Sequence, residues 1–263
     1  MSIPRQDQPE EKTNAEKQWQ SIYTLGGVTG VLVLIGVLLD TFIGSTTGGN
    51  LSALPQTAVD RFAQFKENPW LGLYHLDLLN VVNQIISIPT YFALYAAHRN
   101  GKSAYAALAL VVFLVGTAIF VTTNTALPMY ELSIKYAAAG SEPQKALLAA
   151  AGEAMLARGE HGTTSVLIGF LLPSLAGLLM SIGMLTGKVF SKTTSYLGLV
   201  GSILISIYLL LVTFVPGTRS MATLVALPGG LLLMAWMVMY SRRLFQLGQM
   251  KDGQVWRNSK VAS

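Results

Sequence analysis

Six long apolar blocks constrain the fold of this sequence more than any other feature. A helix of about 20 apolar residues crosses the hydrocarbon core of a bilayer, which is roughly 30 Å thick. Backbone groups in lipid must satisfy one another, so segments of this kind cross as helices. Only 12% of the residues are charged, against about a quarter in a soluble domain. The sequence therefore predicts an all-α bundle of six transmembrane helices, with spans at about 22–43, 71–97, 103–127, 164–187, 195–215 and 222–245.

The positive charges predict how the bundle is oriented. Twelve of the 18 lysine and arginine residues fall on one side of the six spans, in the tail 1–20, in two short turns, at the end of the last span (Arg242 and Arg243) and in the basic tail 249–263. Cytoplasmic segments carry this excess in membrane proteins. We therefore expect both termini of the membrane domain, residues 21–248, to face the cytoplasm. The net charge of +5 then needs no nucleic-acid partner, because no basic stripe with interleaved aromatic residues accompanies it.

Two long connections on the predicted outer side are each able to hold a helix. Residues 44–70 separate the first two spans, and residues 129–162 separate the third and fourth. In each connection, apolar residues recur at helical spacing, which predicts a short amphipathic helix lying on the membrane. A solvated helix that caps the bundle fits the same pattern. The apolar faces consist of Ala58, Phe62 and Phe65 in the first connection and of Leu147, Ala151 and Met155 in the second.

Polar residues in the second predicted span point to a binding site. Asp77, Asn80, Gln84 and Ser87 follow one another at i, i+3, i+7 and i+10, so they share one face of a helix. Polar groups facing lipid are costly, and the face should therefore line the bundle interior. Such residues bind a ligand in some proteins and only join helices by hydrogen bonds in others. Further polar residues cluster at the same end of the bundle, namely Asp40, Asn124 and Glu131.

We interpret this group as an outward-facing polar cavity of a non-enzymatic protein that binds a small molecule or a lipid, as a transport-like or accessory protein. The alternative is a metal-dependent membrane enzyme acting at the outer leaflet. His75, Asp77, Glu160 and His161 would supply nitrogen and oxygen ligands, which zinc accepts. The spacing argues against this alternative, because His75 and Asp77 point to different faces of a helix and no HExxH motif is present.

Other cofactors find little support in the sequence. There is no cysteine, which excludes thiolate ligands and covalent haem attachment. His75 and His161 could act as the two axial ligands of a haem, but nothing else in the sequence favours it, so we expect no cofactor. His98, beside Arg99 at the cytoplasmic end of the second span, is interpreted as a headgroup-region residue.

The later part of the chain resembles a known family. The segments that carry the likeness are Asn124–Met129 (NTALPM), Lys188–Lys192 (KVFSK) and Arg242–Leu247 (RRLFQL). They resemble a broad prokaryotic family of uncharacterised polytopic integral membrane proteins, a domain of unknown function with about six transmembrane helices. The resemblance covers about residues 75–248 and implies a prokaryotic plasma-membrane location. It brings no functional residues, and a membrane-protein partner or a homo-oligomer stays open alongside the lipid bilayer.

Overall fold

A computed structural model describes residues 9–46, 55–99, 101, 104–159, 163–215 and 217–249. Within these ranges the chain forms ten α-helices and no strand. Six segments are long and apolar enough to cross a membrane, as the sequence predicts. The chain is therefore a multi-pass membrane protein. The helices are α1 Pro9–Thr46, α2 Ala58–Glu67, α3 Pro69–His75, α4 Leu78–His98, α5 Ala104–Thr123, α6 Ala126–Ala138, α7 Glu142–Gly159, α8 Thr164–Gly187, α9 Lys192–Phe214 and α10 Arg219–Gln249.

The six membrane helices pack as a closed ring in the order α1, α4, α5, α8, α9, α10 and back to α1. The pairs α4–α5 and α8–α9 are antiparallel neighbours, because short turns connect them. Large apolar side chains also remain exposed on the outside of the ring, where lipid replaces water as the solvent. The main core fills the ring interior and includes Tyr91, Leu94, Phe113, Met180, Met184, Trp236, Tyr240 and Leu244.

Glycines let α1 approach its two neighbours closely. A Cβ at Gly26 would collide with Ala93 of α4, and one at Gly30 would collide with Ser241 of α10. Small residues at such contacts bring helix backbones together, and this is how membrane helices gain packing energy without a hydrophobic driving force. The first helix therefore closes the ring between α4 and the last helix.

The helices α2, α3, α6 and α7 form a second unit at one end of the bundle, which we call the cap. Its own hydrophobic cluster joins all four helices. On α2, Ala58, Phe62 and Phe65 are buried, so the predicted apolar face exists. Thr57 caps this helix, since its hydroxyl accepts a hydrogen bond from the Asp60 N–H at 3.1 Å.

The buried face of α7 differs from the predicted one. Leu147 is 72% exposed, and the buried residues are Gly152, Leu156 and Gly159. The reason is a close approach between helices: a Cβ at Gly152 would meet Ala58 and Phe62 of α2. Hydrophobicity alone does not detect a glycine contact of this kind. The buried face therefore lies one residue on from the predicted Ala151 and Met155, which are partly buried.

The opposite end of the bundle, which we call the turn end, carries the two short turns. The Arg99 guanidinium at the end of α4 lies 3.8 Å from the ring centre of Trp19 in α1. Arg243 of α10 donates from Nε to the Val189 carbonyl in the α8–α9 turn at 2.9 Å. The membrane part of α1 thus begins, and α10 ends, on the same side as the short turns. That this side is cytoplasmic remains a prediction from the charge count.

Two predicted spans are interrupted where the bundle meets the cap. The predicted span 71–97 is divided, since α3 ends at His75 and α4 begins at Leu78. The chain from 103 to 127 is also divided, between Thr123 and Ala126. Pro128 explains the second break, because it has no N–H and its ring would clash with the carbonyl of Asn124, four residues earlier.

Candidate functional site

The two helix breaks lie side by side and are joined by a hydrogen bond. The side-chain amide of Asn124 donates from Nδ2 to the Leu76 carbonyl at 2.7 Å and accepts at Oδ1 from the Ala126 N–H at 3.1 Å. On the other break, Asp77 Oδ1 accepts from Asn80 Nδ2 at 3.1 Å. The Asn124 side chain thus takes over backbone groups that the helix ends leave without partners, whereas the Asp77–Asn80 bond joins two side chains. We call residues 76–80 and 124–126 the junction.

Asp77 holds an unusual backbone conformation at the centre of the junction. Its φ is 64° and its ψ is 21°, which is the left-handed region. A residue with a Cβ pays about 1–2 kcal/mol there, although aspartate tolerates it better than most. Such strain persists only when surrounding contacts hold it, and it concentrates at functional sites.

Acidic groups surround the Tyr74 hydroxyl beside the junction. The hydroxyl donates to the Asp40 carbonyl oxygen at 2.9 Å, which ties the end of α1 to α3. Burial, and then the negative charges of Asp40 and Asp77, raise the pKa of Tyr74 well above its usual value. Tyr74 therefore remains a neutral hydroxyl. The carboxylates of Asp40 and Asp77 both lie near it.

A histidine and a buried arginine lie on the cap side of the junction. Gln64 Nε2 is 2.9 Å from His75 Nδ1, within hydrogen-bonding distance. Burial, and then the nearby Arg61 cation, lower the pKa of His75. Arg61 is only 2% exposed. A signal for its burial exists, because Arg61 falls between Ala58 and Phe65 on the buried face of α2.

Gln84 lies deeper in the bundle. Its Nε2 donates to the Gly169 carbonyl of α8 at 3.2 Å. Pro173 has no N–H to bond this carbonyl four residues earlier in the helix, so Gln84 replaces the missing partner. This is the helix-joining role that the sequence left open beside a binding role.

Glu131 is placed elsewhere. It is exposed on α6 and forms an ion pair with Lys135 at 2.6 Å. Four of the predicted cavity residues meet at or beside the junction: Asp40, Asp77, Asn80 and Asn124. Gln84 lies below the junction. Glu131 pairs with Lys135 instead.

The metal hypothesis depends on residues beyond the described ranges. Among the residues that the structure describes, no group of three or more histidine, aspartate or glutamate residues could hold a metal ion. His75 uses Nδ1 for its bond to Gln64. Glu160 and His161 lie outside the described residues, so the four-residue metal set and the pairing of His75 with His161 on a haem both stay predictions.

His98 is buried in the protein at the end of α4. It is 2% exposed, its Nδ1 donates to the Leu94 carbonyl at 2.7 Å, and its ring stacks on Phe190 at 5.5 Å. Gly187 leaves room for the imidazole, since a Cβ there would meet the His98 ring. The sequence did not indicate this burial, which arises because the α8–α9 turn folds over the end of α4.

Comparison with known proteins agrees with the architecture. A family model described as a domain of unknown function matches residues 28–240, which include the cap, the junction and most of the ring. No curated protein and no solved structure matches the chain.

Proposed function

The chain belongs to the DUF4386 family, a domain of unknown function, and from that premise we propose that it is a non-enzymatic membrane protein whose junction binds a small polar or lipid-like ligand. The observation that carries the proposal is the strained Asp77, with φ 64°, between two helix breaks. Irregular backbone at the edge of a membrane bundle is tolerated where protein or a cavity satisfies its polar groups. Broken helices of this kind form substrate and ion sites in transporters.

The charges at the junction indicate a polar ligand. Asp40 and Asp77 lie near Tyr74, while Arg61 and His75 lie on the cap side. A ligand group that donates hydrogen bonds, such as an ammonium or hydroxyl group, fits the acidic side, and carboxylates and neutral imidazoles accept such bonds.

A lipid-like ligand is favoured by the surroundings of the junction. The cap carries large exposed apolar side chains, including Trp70 at 79% and Leu147 at 72% exposure. Aromatic and apolar residues at the end of a membrane bundle are typical of the lipid headgroup region. We propose that this end faces outward, which is the orientation that the lysine and arginine distribution predicts.

The proposal is tested on the full-length protein in detergent. Native mass spectrometry reports any co-purified molecule, and thermal unfolding is measured with phosphatidylethanolamine, phosphatidylglycerol, ethanolamine and glycerol phosphate. A ligand at about 100 times its Kd adds about 2.7 kcal/mol, so we expect at least one probe to raise Tm by several degrees. The Asp77→Asn variant should lose that increase, while Glu67→Gln, which removes an exposed acid of α2, should keep it. An increase of equal size in Asp77→Asn, or none with any probe and no bound molecule, would remove the proposal.

A further inference from the structure

The polar stripe of α4 continues past the junction and becomes steadily more buried. Asn80, Gln84 and Ser87 are partly accessible, whereas Tyr91 is 9% exposed and Leu94 is fully buried. These residues share one helical face, because each follows another at three or four positions. Accessibility therefore decreases along a single line from the junction towards the turn end.

The accessible part of the stripe faces the interior of the ring, not lipid. Gln84 donates to Gly169 of α8, and Tyr91 stacks on Phe113 of α5 with ring centres 3.9 Å apart. The opposite face of α4 carries apolar residues that the ring leaves open to lipid: Val82 is 43% exposed and Ile85 is 46% exposed. The partly accessible surface of Asn80, Gln84 and Ser87 thus lies on the side of α4 that faces the ring.

One polar atom of the stripe and one deeper in the core have no hydrogen-bond partner among the described residues. Gln84 Oε1 is buried and has no hydrogen-bond partner among the described residues, and the same is true of Trp236 Nε1 further down the core. A buried polar atom without a partner costs about 1–3 kcal/mol. Ordered water relieves this cost when the site is polar and roomy enough.

The stripe ends on an apolar barrier. Leu94, Met180, Met184 and Leu244 are fully buried in the ring interior, below the Tyr91–Phe113 stack. These side chains offer no hydrogen bonds to water, so they close the interior towards the turn end. The stack of His98 on Phe190 lies beyond this barrier and covers it.

We propose that the α4 stripe lines a water-filled solute pathway that opens at the junction and is closed by this apolar barrier, as in a carrier for small polar solutes seen in its outward-open state. The pathway rests on the proposed function, because a ligand held at the junction would enter it. Its solute is small and polar, to match the amide and hydroxyl groups of Asn80, Gln84 and Ser87. From Asp77 to Tyr91 the pathway is about 20 Å long, at 1.5 Å per helical residue.

The absence of native cysteine allows a direct test in membrane vesicles. Single cysteines are introduced as Asn80→Cys, Gln84→Cys and Ser87→Cys in the stripe and as Val82→Cys and Ile85→Cys at matched depth on the lipid face. The reagent is the charged, membrane-impermeant sulfonatoethyl methanethiosulfonate, which reacts with a hydrated thiolate. We expect the stripe cysteines to react at least about tenfold faster than the lipid-face pair, since burial away from water suppresses the thiolate.

A further variant, Leu94→Cys, tests the barrier. We expect it to be unreactive from either side of the membrane, and rapid reaction there would show that no barrier exists. If Gln84→Cys and Ser87→Cys react as slowly as Val82→Cys and Ile85→Cys, the pathway is overturned, even when ligand binding at the junction persists. Rapid reaction in the stripe without any junction ligand would instead keep the pathway and remove the proposed binding function. Thermal unfolding of each variant confirms that it has folded.

Discussion

The side-chain amide of Asn124 joins the two helix breaks, and its removal should measurably weaken the protein. In the Asn124→Ala variant, the Leu76 carbonyl loses its donor at 2.7 Å and the Ala126 N–H loses its acceptor at 3.1 Å. Leu76 is only 3% exposed, so water does not readily replace the first bond. The variant therefore combines two lost hydrogen bonds with one buried carbonyl that has no substitute donor.

The size of the effect follows from these contacts. A hydrogen bond contributes about 0.5–1.5 kcal/mol net, and a buried group left without a partner costs about 1–3 kcal/mol. We expect Asn124→Ala to lower the free energy of unfolding by about 2–3 kcal/mol. For a chain of this length, 1 kcal/mol corresponds to about 2–4 °C in Tm, so Tm should fall by about 5–10 °C.

Thermal unfolding in detergent, followed by circular dichroism, measures this change. The matched control is Thr122→Val, two residues earlier. Its exposed hydroxyl bonds only to carbonyls of its own helix, so its loss should shift Tm by less than about 2 °C, as expected for surface substitutions. A fall in Tm for Asn124→Ala no larger than that of the control would show that the bonds across the breaks do not hold the cap on the bundle.

Three further predictions concern the same end of the molecule. Asp77→Gly should keep the fold while Asp77→Val lowers Tm by several degrees, because valine with φ 64° is strained and glycine is not; equal Tm values would contradict the strain. The pKa of His75 is lowered from 6.5 in the folded protein, so the stability from its neutral form is complete above pH 6.5 and is lost as pH falls below it. Between pH 7.5 and pH 5.5, Tm should therefore fall more in wild type than in His75→Gln. Parallel Tm curves for the two proteins would refute this. Elemental analysis and an absorption spectrum should show neither stoichiometric metal nor a haem band, whereas either signal, lost in a His75→Ala, His161→Ala double variant, would favour the enzyme or haem alternative.

The number of spans could be predicted because a span depends on composition over about 20 residues. The ends of the spans could not be predicted because each end depends on single residues. The apolar block from 71 onwards continues through α3 into α4. Mean hydropathy therefore predicts one continuous span, although the backbone turns at Asp77. Pro128 disfavours a continuous helix after Thr123, but a proline alone does not predict a break, since Pro173 lies inside α8.

The candidate site was only partly predictable for a related reason. Helical spacing places Asn80 and Gln84 on one face, but it cannot show that Gln84 serves the carbonyl freed by Pro173 on another helix. Burial of Arg61 and His98 was missed because both stand at places where charged and polar residues usually face water or headgroups. Their burial results from packing by distant elements, the cap in one case and the α8–α9 turn in the other.

The closure of the ring by α1 and α10 has a consequence for biosynthesis. α1 is synthesised well before α10, so its Gly30 surface lacks this neighbour until α10 has been made. Contacts between such distant parts of a chain form late, and a nascent chain of this kind exposes unpaired surface until they do. Chains stalled before residue 219 would therefore present an incomplete ring to the membrane's quality-control proteases.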